Sequence, residues 1–210
     1  MITLFCALAA YLIGSLSFGI LSSRMFGLPD PRSYGSGNPG ATNVLRSGRK
    51  AAALLTLIGD CGKGLVAVLI ARLLASRSGA VEAAISGAAV AVFLGHLYPL
   101  YFRFKGGKGV ATAFGILLGL NPWLAVLAAA MFGVVVGVSR YVSLASVVAA
   151  ITTAIAAPLL LGWGITAGAV IVVAVLVFWR HRGNVRRLIA GTERRLGVGT
   201  PGSPAAGGPS

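Results

Sequence analysis

Acidic side chains are nearly missing from this chain. Asp30, Asp60, Glu82 and Glu193 are the only four in 210 residues, against 18 Lys and Arg. They are scattered, so no carboxylate pair for general acid–base work is in view. Histidine and cysteine occur twice each. Cys6 and Cys61 lie in apolar segments, and nothing beside them has ligand spacing, which excludes a disulfide framework and a metal site. No Ser-His-Asp set is apparent. Charge of either sign is scarce, 10% of residues, where a soluble domain has about 25%. With 57% hydrophobic residues and a mean hydropathy of +0.89, the chain cannot wet a globular surface. It reads as an integral membrane protein.

What is abundant is apolar helix. A crossing needs about 20 mostly apolar residues, so this length admits roughly six to eight crossings and no sizeable soluble domain. The pattern predicts a first span over Ile2–Ser23, retained and not a removable signal peptide. A loop rich in Gly, Pro, Asn and Arg covers Arg24–Lys50. A second span, Ala51–Ala75, is expected to be interrupted by Gly59-Asp-Cys-Gly-Lys-Gly64, and a third covers Glu82–Phe102. Val110–Leu120 is apolar but only about 16 Å long as a helix. Tilt, packing inside the bundle and half-crossing all stay open for it. Asn121-Pro122 marks a turn. Trp123–Ser139, Val142–Leu160 and Trp163–Trp179 complete seven segments. Arg180–Arg195 is basic, and the Gly/Pro-rich tail, 196–210, is expected to be disordered.

Alternation with the N-terminus outside and the C-terminus cytoplasmic puts fifteen of the 18 basic residues in inside loops. Only Arg72 and Arg77 fall outside, and Lys63 sits within a span. Basic residues collect in cytoplasmic loops, so the net charge of +14 is an orientation signal and not a nucleic-acid footprint. The expected fold is all-α, with seven transmembrane helices, one of them short, in a single membrane domain over 1–195.

That orientation gathers three polar clusters on one side. The first runs Tyr34-Gly-Ser-Gly-Asn-Pro-Gly-Ala-Thr-Asn-Val-Leu-Arg46. Its glycines let backbone N–H groups converge, Ser36, Thr42 and Asn43 donate hydrogen bonds, and Arg46 matches a phosphate with two parallel N–H bonds. A solvated loop that merely turns would share the composition. The second, Gly95-His-Leu-Tyr-Pro99 leading into Phe104-Lys-Gly-Gly-Lys-Gly-Val110, is not the nucleotide-binding loop. Lys108 is followed by Gly109, not Ser or Thr, and Phe102 stands where the first glycine belongs. It is either a small anion nest around Lys108 or a basic loop touching anionic lipid. His96 and Tyr98 are expected to make interhelical hydrogen bonds. The third is Arg180-His-Arg-Gly-Asn184 with Arg186-Arg-Leu188. A basic stop-transfer flank explains its arginines, but not His181 and Asn184, which share a helix face. Asp60 and Lys63, within a span, are read first as a mutual ion pair, with a direct role in the site left open.

The HxxxxD box of common glycerolipid acyltransferases is absent, since Tyr101 and Arg186 lie five residues beyond the two histidines. The repeated aspartates of CDP-alcohol transferases are absent too. What remains is a donor-rich cationic pocket at a lipid boundary. It suits an activated substrate with a phosphate leaving group, accelerated by positioning and charge stabilisation. The same pocket would serve a transporter of a phosphorylated solute, and a basic tail alone would serve a scaffold.

Gly-Ser-Gly-Asn-Pro-Gly-Ala-Thr-Asn-Val (35–44), Gly-His-Leu-Tyr-Pro (95–99) with Phe-Lys-Gly-Gly-Lys-Gly-Val-Ala-Thr (104–112), and Arg-His-Arg-Gly-Asn (180–184) with Arg-Leu (187–188) resemble the three signatures of the PlsY family. These are bacterial acyl-phosphate:glycerol-3-phosphate acyltransferases. The likeness runs from about Ala10 to Arg195, in order and at matching spacing. It implies acyl transfer from acyl phosphate to the 1-hydroxyl of glycerol 3-phosphate, giving lysophosphatidic acid and phosphate, at the cytoplasmic face of the inner membrane. It implies no cofactor, no metal, membrane lipids as surroundings, and a functional monomer. By position, Ser36, Arg46, Lys108, His181 and Asn184 correspond to the catalytic pocket. Gly35, Gly37, Asn38, Gly40, Thr42, Asn43, Gly106, Gly107 and Gly109 correspond to the substrate-binding backbone. The family is thought to use a substrate phosphate, and no protein general base, to take the hydroxyl proton. Gly183 departs from the family's pattern, where Glu is expected, and Pro39 occupies a variable position.

Overall fold

A computed structural model describes residues 1–197, and every regular element in that range is helical. Helices α1 (Ile2–Gly14) and α2 (Phe18–Met25) form one apolar run with a break between them. The single turn α3 (Ala41–Val44) leads into a tighter turn, Leu45–Ser47, that carries Arg46. Then come α4 (Lys50–Ala75) and α5 (Val81–Leu97), followed by a short turn at Leu100–Phe102. The remaining helices are α6 (Val110–Leu120), α7 (Pro122–Ser139), α8 (Val142–Leu161), α9 (Ile165–Arg180) and α10 (Arg182–Ile189).

Five runs are long and apolar enough to cross a membrane: Ile2–Met25, Lys50–Ala75, Val81–Phe102, Pro122–Ser139 and Val142–Leu161. Helices α9 and α10 qualify only as a pair bent by 54°, and α6 is shorter. Large apolar side chains such as Leu4, Leu8, Val138 and Leu159 face outward.

Local expectations are corrected at two places. The second span is not interrupted at residues 59–64, because α4 runs through them. Asp60 and Lys63 are buried together, with Lys63 Nζ 2.8 Å from Asp60 Oδ1. The break falls in the first span instead. There Lys63 Nζ also donates to the Leu16 carbonyl at 2.7 Å, serving a backbone oxygen that a helix break inside an apolar bundle would leave unpaired. The turn expected at Asn121-Pro122 lies between α6 and α7, and its residues also start α7. The Asn121 side chain accepts the N–H groups of Trp123 and Leu124, and Pro122 takes the first helical position of α7. Of the expected disordered tail, residues 198–210 lie outside the described residues. Leu196 is described, and its N–H donates to the Arg140 carbonyl at 2.7 Å.

The bundle closes through glycine. Helix α1 packs along α5 where Gly14 meets the backbone of Val92 and Gly95 meets that of Tyr11. A Cβ there would stand 2.1 and 2.3 Å from the facing carbonyl oxygens. Helix α4 packs along α6 the same way, through Gly64 and Gly115. Lipid tails are as apolar as leucine, so close van der Waals approach supplies the cohesion.

Several loops meet at one end of this bundle. Arg32 donates to the Phe102 carbonyl, Arg180 to the carbonyls of Gly106 and Gly107, and Leu196 to that of Arg140.

Two glycines of α4 make the packing testable. Gly64→Ala places a Cβ 2.3 Å from the Thr112 carbonyl and should destabilise by about 1–3 kcal/mol. Gly62→Ala, with nothing within 4 Å, should stabilise by about 1 kcal/mol through helix propensity. Thermal unfolding in detergent reads the contrast, and shifts of the same sign and size would refute the packing account.

Candidate active site

At the end where the loops meet, a cavity of about 1750 Å³ opens between α4, α6, α7, α8 and α9. All three polar clusters reach it. Ser36, Asn38, Thr42 and Arg46 line it from the first, Lys108 and Gly109 from the second, and His181 and Asn184 from the third. Gly35, Gly40 and Asn43 line it as well. Deeper, the wall turns apolar, with Phe114, Leu117, Ala128, Phe132, Ala150, Val170 and Val173.

Lys108 is the centre of the polar part. Its ammonium donates to Asn184 Oδ1 at 2.5 Å. Asn184 Nδ2 in turn donates to Glu193 Oε1 at 2.6 Å. The amide orientation follows from chemistry, since an ammonium only donates and a carboxylate only accepts. Glu193 also accepts from Ser143 Oγ and from Arg187 Nε, both at 2.7 Å. The carboxylate therefore reaches Lys108 through an amide and does not neutralise it by contact. Burial pushes the Lys108 pKa down to about 8 against the pull of Glu193, with Arg187, Arg180 and Arg46 adding to the decrease. Arg46 is exposed to the cavity and makes no ion pair among the described residues. Burial and Arg194 lower its pKa as well.

His181, at the bend between α9 and α10, is 3% exposed. Its Nδ1 lies 2.8 Å from the Val177 carbonyl, which only accepts, so Nδ1 carries a proton. In the neutral ring this leaves Nε2 as an acceptor.

The first cluster is held from within. Asn43 accepts the Ser36 N–H at 2.8 Å and donates to the carbonyls of Pro31 and Tyr34. Its amide is taken up in shaping the loop that presents Ser36. Gly35 has φ +62°, and a Cβ there would lie 2.2 Å from Asn43 Oδ1.

Three expected glycines are not at this cavity. Gly37 and Gly106 face a separate surface hollow beside Arg32, Arg103 and Lys105. Gly107 is buried, and a Cβ on it would stand 2.4 Å from His96 Nε2. Gly106 and Gly107 let their loop fold down onto the end of α5, with the Gly107 N–H donating to the His96 carbonyl at 3.2 Å. From the other side Arg180 holds the loop, its Nε and Nη2 donating to the carbonyls of Gly107 and Gly106 at 3.1 and 3.2 Å.

Glu193, Ser143 and Arg180 were not among the expected site residues. Glu193 carried a signal, being the lone acid in a run of arginines. Ser143 carried none, because a serine in an apolar helix is common. Arg180 was hidden among the basic residues that any final span carries.

Together the fold and cavity define a multi-pass membrane protein whose cationic, donor-rich pocket runs on into an apolar one. The chain belongs to the glycerol-3-phosphate acyltransferase family, whose model matches residues 4–191. A relative from Nitrosospira multiformis, glycerol-3-phosphate acyltransferase, is 54% identical over 190 residues, covering 90% of this chain and 94% of the relative. One of the same name from Thiobacillus denitrificans is 52% identical over 197 residues, covering 94% and 98%. The fold matches the crystal structure of PlsY (YgiH), an integral membrane glycerol 3-phosphate acyltransferase, in its glycerol 3-phosphate form. That match has TM-score 0.85 and 37% identity over 93% of this chain and 96% of that one. The lysophosphatidic acid form of the same protein matches with TM-score 0.83. The chain is thus a multi-pass membrane acyltransferase for glycerol 3-phosphate in phospholipid biosynthesis, and the transporter and scaffold readings lose their ground.

Lys108 gives a pH test. Its ammonium is charged below about 8 and is lost as pH rises through that value. The kcat/KM for glycerol 3-phosphate, which reports the free enzyme, should therefore fall on the alkaline side. Lys108→Arg keeps its charge at high pH and should flatten that limb. An unchanged limb in Lys108→Arg would assign it to another group.

Proposed function

We propose that this acyltransferase takes its acyl group from acyl phosphate and transfers it to the 1-hydroxyl of glycerol 3-phosphate. The hydroxyl oxygen bonds to the acyl carbonyl carbon, the bond from that carbon to the phosphate oxygen breaks, and the departing phosphate takes the hydroxyl proton. The products are lysophosphatidic acid and inorganic phosphate. The carrying observation is that the cavity offers cations and donors but no free carboxylate among the described residues. Glu193 is held by Ser143, Asn184 and Arg187, and Asp60 by Lys63. A donor that leaves with its own proton acceptor removes the need for one.

Lys108 and Arg46 offset the repulsion between two phosphate-bearing substrates. Ser36, Asn38, Thr42 and the backbone of 35–43, with Gly109 beside Lys108, seat the phosphates. Asn184 aims Lys108, and His181 Nε2 accepts a hydroxyl hydrogen bond from glycerol 3-phosphate, fixing the nucleophile without becoming its base. The apolar wall from Phe114 to Val173 receives the acyl chain. No cofactor or metal is invoked.

Seven crossings are proposed, with α6 as a short one, the N-terminus outside and the site at the cytoplasmic face of the bacterial inner membrane. Their support is the gathering of the loops around residues 32, 46, 106, 140 and 193 at one end. The pairs α4–α5, α6–α7 and α8–α9 then each leave that end and return. Residues 1–195 act as one catalytic domain, and the cavity is complete within one chain, which supports a functional monomer.

Purified protein in detergent should release phosphate from acyl phosphate only when glycerol 3-phosphate is present. Lysophosphatidic acid formed with release of the coenzyme A thiol from acyl coenzyme A, and no phosphate released from acyl phosphate, would overturn the donor assignment. Lys108→Ala and Arg46→Ala should fold normally and lose roughly 100-fold or more in kcat/KM.

A further inference from the structure

A buried ionisable cluster lies beneath the loop that carries Lys108, and the reaction as derived does not use it. Asp60 and Lys63 of α4 and His96 of α5 are 2%, 4% and 7% exposed. Lys63 Nζ is 2.8 Å from Asp60 Oδ1, and the same oxygen is 3.6 Å from His96 Nδ1. The nitrogen also lies 3.2 Å from Thr112 Oγ1, in the first turn of α6. Asp60 Oδ1 makes no well-directed hydrogen bond, so charge alone holds it. Ionisable groups this deep are costly unless function retains them. An ion pair alone would explain Asp60 and Lys63, but not why a histidine and a threonine hydroxyl complete the group.

What stands on His96 is the answer. The Gly107 N–H donates to the His96 carbonyl, and Gly107 lies against the imidazole so closely that a Cβ would touch Nε2. Lys108 follows Gly107 directly. The other face of the loop is held by Arg180. The loop is thus a layer between Arg180 and the imidazole, with Lys108 the next residue along the chain.

We propose that Asp60, Lys63, His96 and Thr112 form a positioning network that fixes the 105–109 loop from within the membrane and so aims the Lys108 ammonium at the substrate phosphate. Lys63 ties the network to the break in the first span through the Leu16 carbonyl. Thr112 ties it to α6. Four separate segments thereby converge on the placement of one lysine; Asp60 and His96 border the cavity, while Lys63 and Thr112 lie behind its wall.

The inference rests on Lys108 being a phosphate seat, and the two can fail separately. Thr112→Val removes the hydroxyl while keeping shape and charge, so folding is not at risk. Its melting temperature in detergent should fall by only a few degrees, the effect of one lost buried hydrogen bond. Its KM for glycerol 3-phosphate should rise about tenfold, since small misplacement of a catalytic group carries costs of that order. kcat should change much less. Thr112→Ser should restore the wild-type KM. Binding of inorganic phosphate, followed by titration calorimetry, should weaken in parallel. If Lys108→Ala binds phosphate like the wild type, the seat assignment fails. If Lys108→Ala loses phosphate binding while Thr112→Val binds and turns over like the wild type, the network fails alone. A Thr112→Val protein that unfolds at ordinary assay temperature, loses kcat with KM unchanged and is not rescued by serine would mark the cluster as purely structural and overturn the proposal. The variant Asp60→Asn with Lys63→Met, which removes both charges together, should reproduce the KM defect. Unaltered kinetics in that folded double variant would likewise overturn it.

Discussion

Keeping positive charge unneutralised in a partly dry space is the constraint on which the site depends. A lysine in direct contact with a carboxylate would be a poor seat for phosphate, and a lysine with no carboxylate nearby would shed its proton. The chain settles between these limits. Asn184 relays the field of Glu193 to Lys108 while leaving two of the ammonium's three donors for a ligand. Glu193 is itself fixed by Ser143 and Arg187, so the relay does not collapse onto the lysine. The rest of the cavity mouth follows the same logic, with Arg46 in no ion pair among the described residues and acted on in opposite directions by Arg194 and Glu193.

The apolar bundle supplies the rigidity this arrangement requires. Helices meeting backbone to backbone at Gly14, Gly64, Gly95 and Gly115 have little room to slide. The loops at the mouth are therefore mounted on a stiff frame. The 105–109 loop is pressed against it by hydrogen bonds and by the absence of side chains at Gly106 and Gly107.

Much of this was legible in the sequence. Apolar runs and their basic flanks announced the helices, and the three clusters announced the cavity's polar lining. Lys108 was singled out by the glycines around it, and it is central. The glycines themselves were misleading. A Gly-Gly pair beside a lysine reads as a phosphate nest, yet Gly106 and Gly107 are shaped by contact with α5, which no local pattern encodes. The Gly59–Gly64 stretch looked like a helix breaker because propensity counts glycines. Tertiary contact with α6 overrode it at Gly64, and burial of the Asp60–Lys63 pair held the helix through it. The break between Gly14 and Phe18 had no proline to signal it. Glu193 was passed over because its partners, Ser143 and Asn184, lie 50 and nine residues away in sequence.

The strap at residues 193–196 has a consequence for biosynthesis. Ser36 and Arg46 leave the ribosome early, while Asn184, Glu193 and Leu196 are among the last described residues to emerge. Until they do, Lys108 has neither its amide nor the carboxylate behind it, and the Arg140 carbonyl lacks its Leu196 donor. Every nascent chain stopped short of this point carries a nearly complete bundle with an unassembled mouth. Synthesis to this strap, after the helices are made, completes the hydrogen-bonded mouth of the cavity.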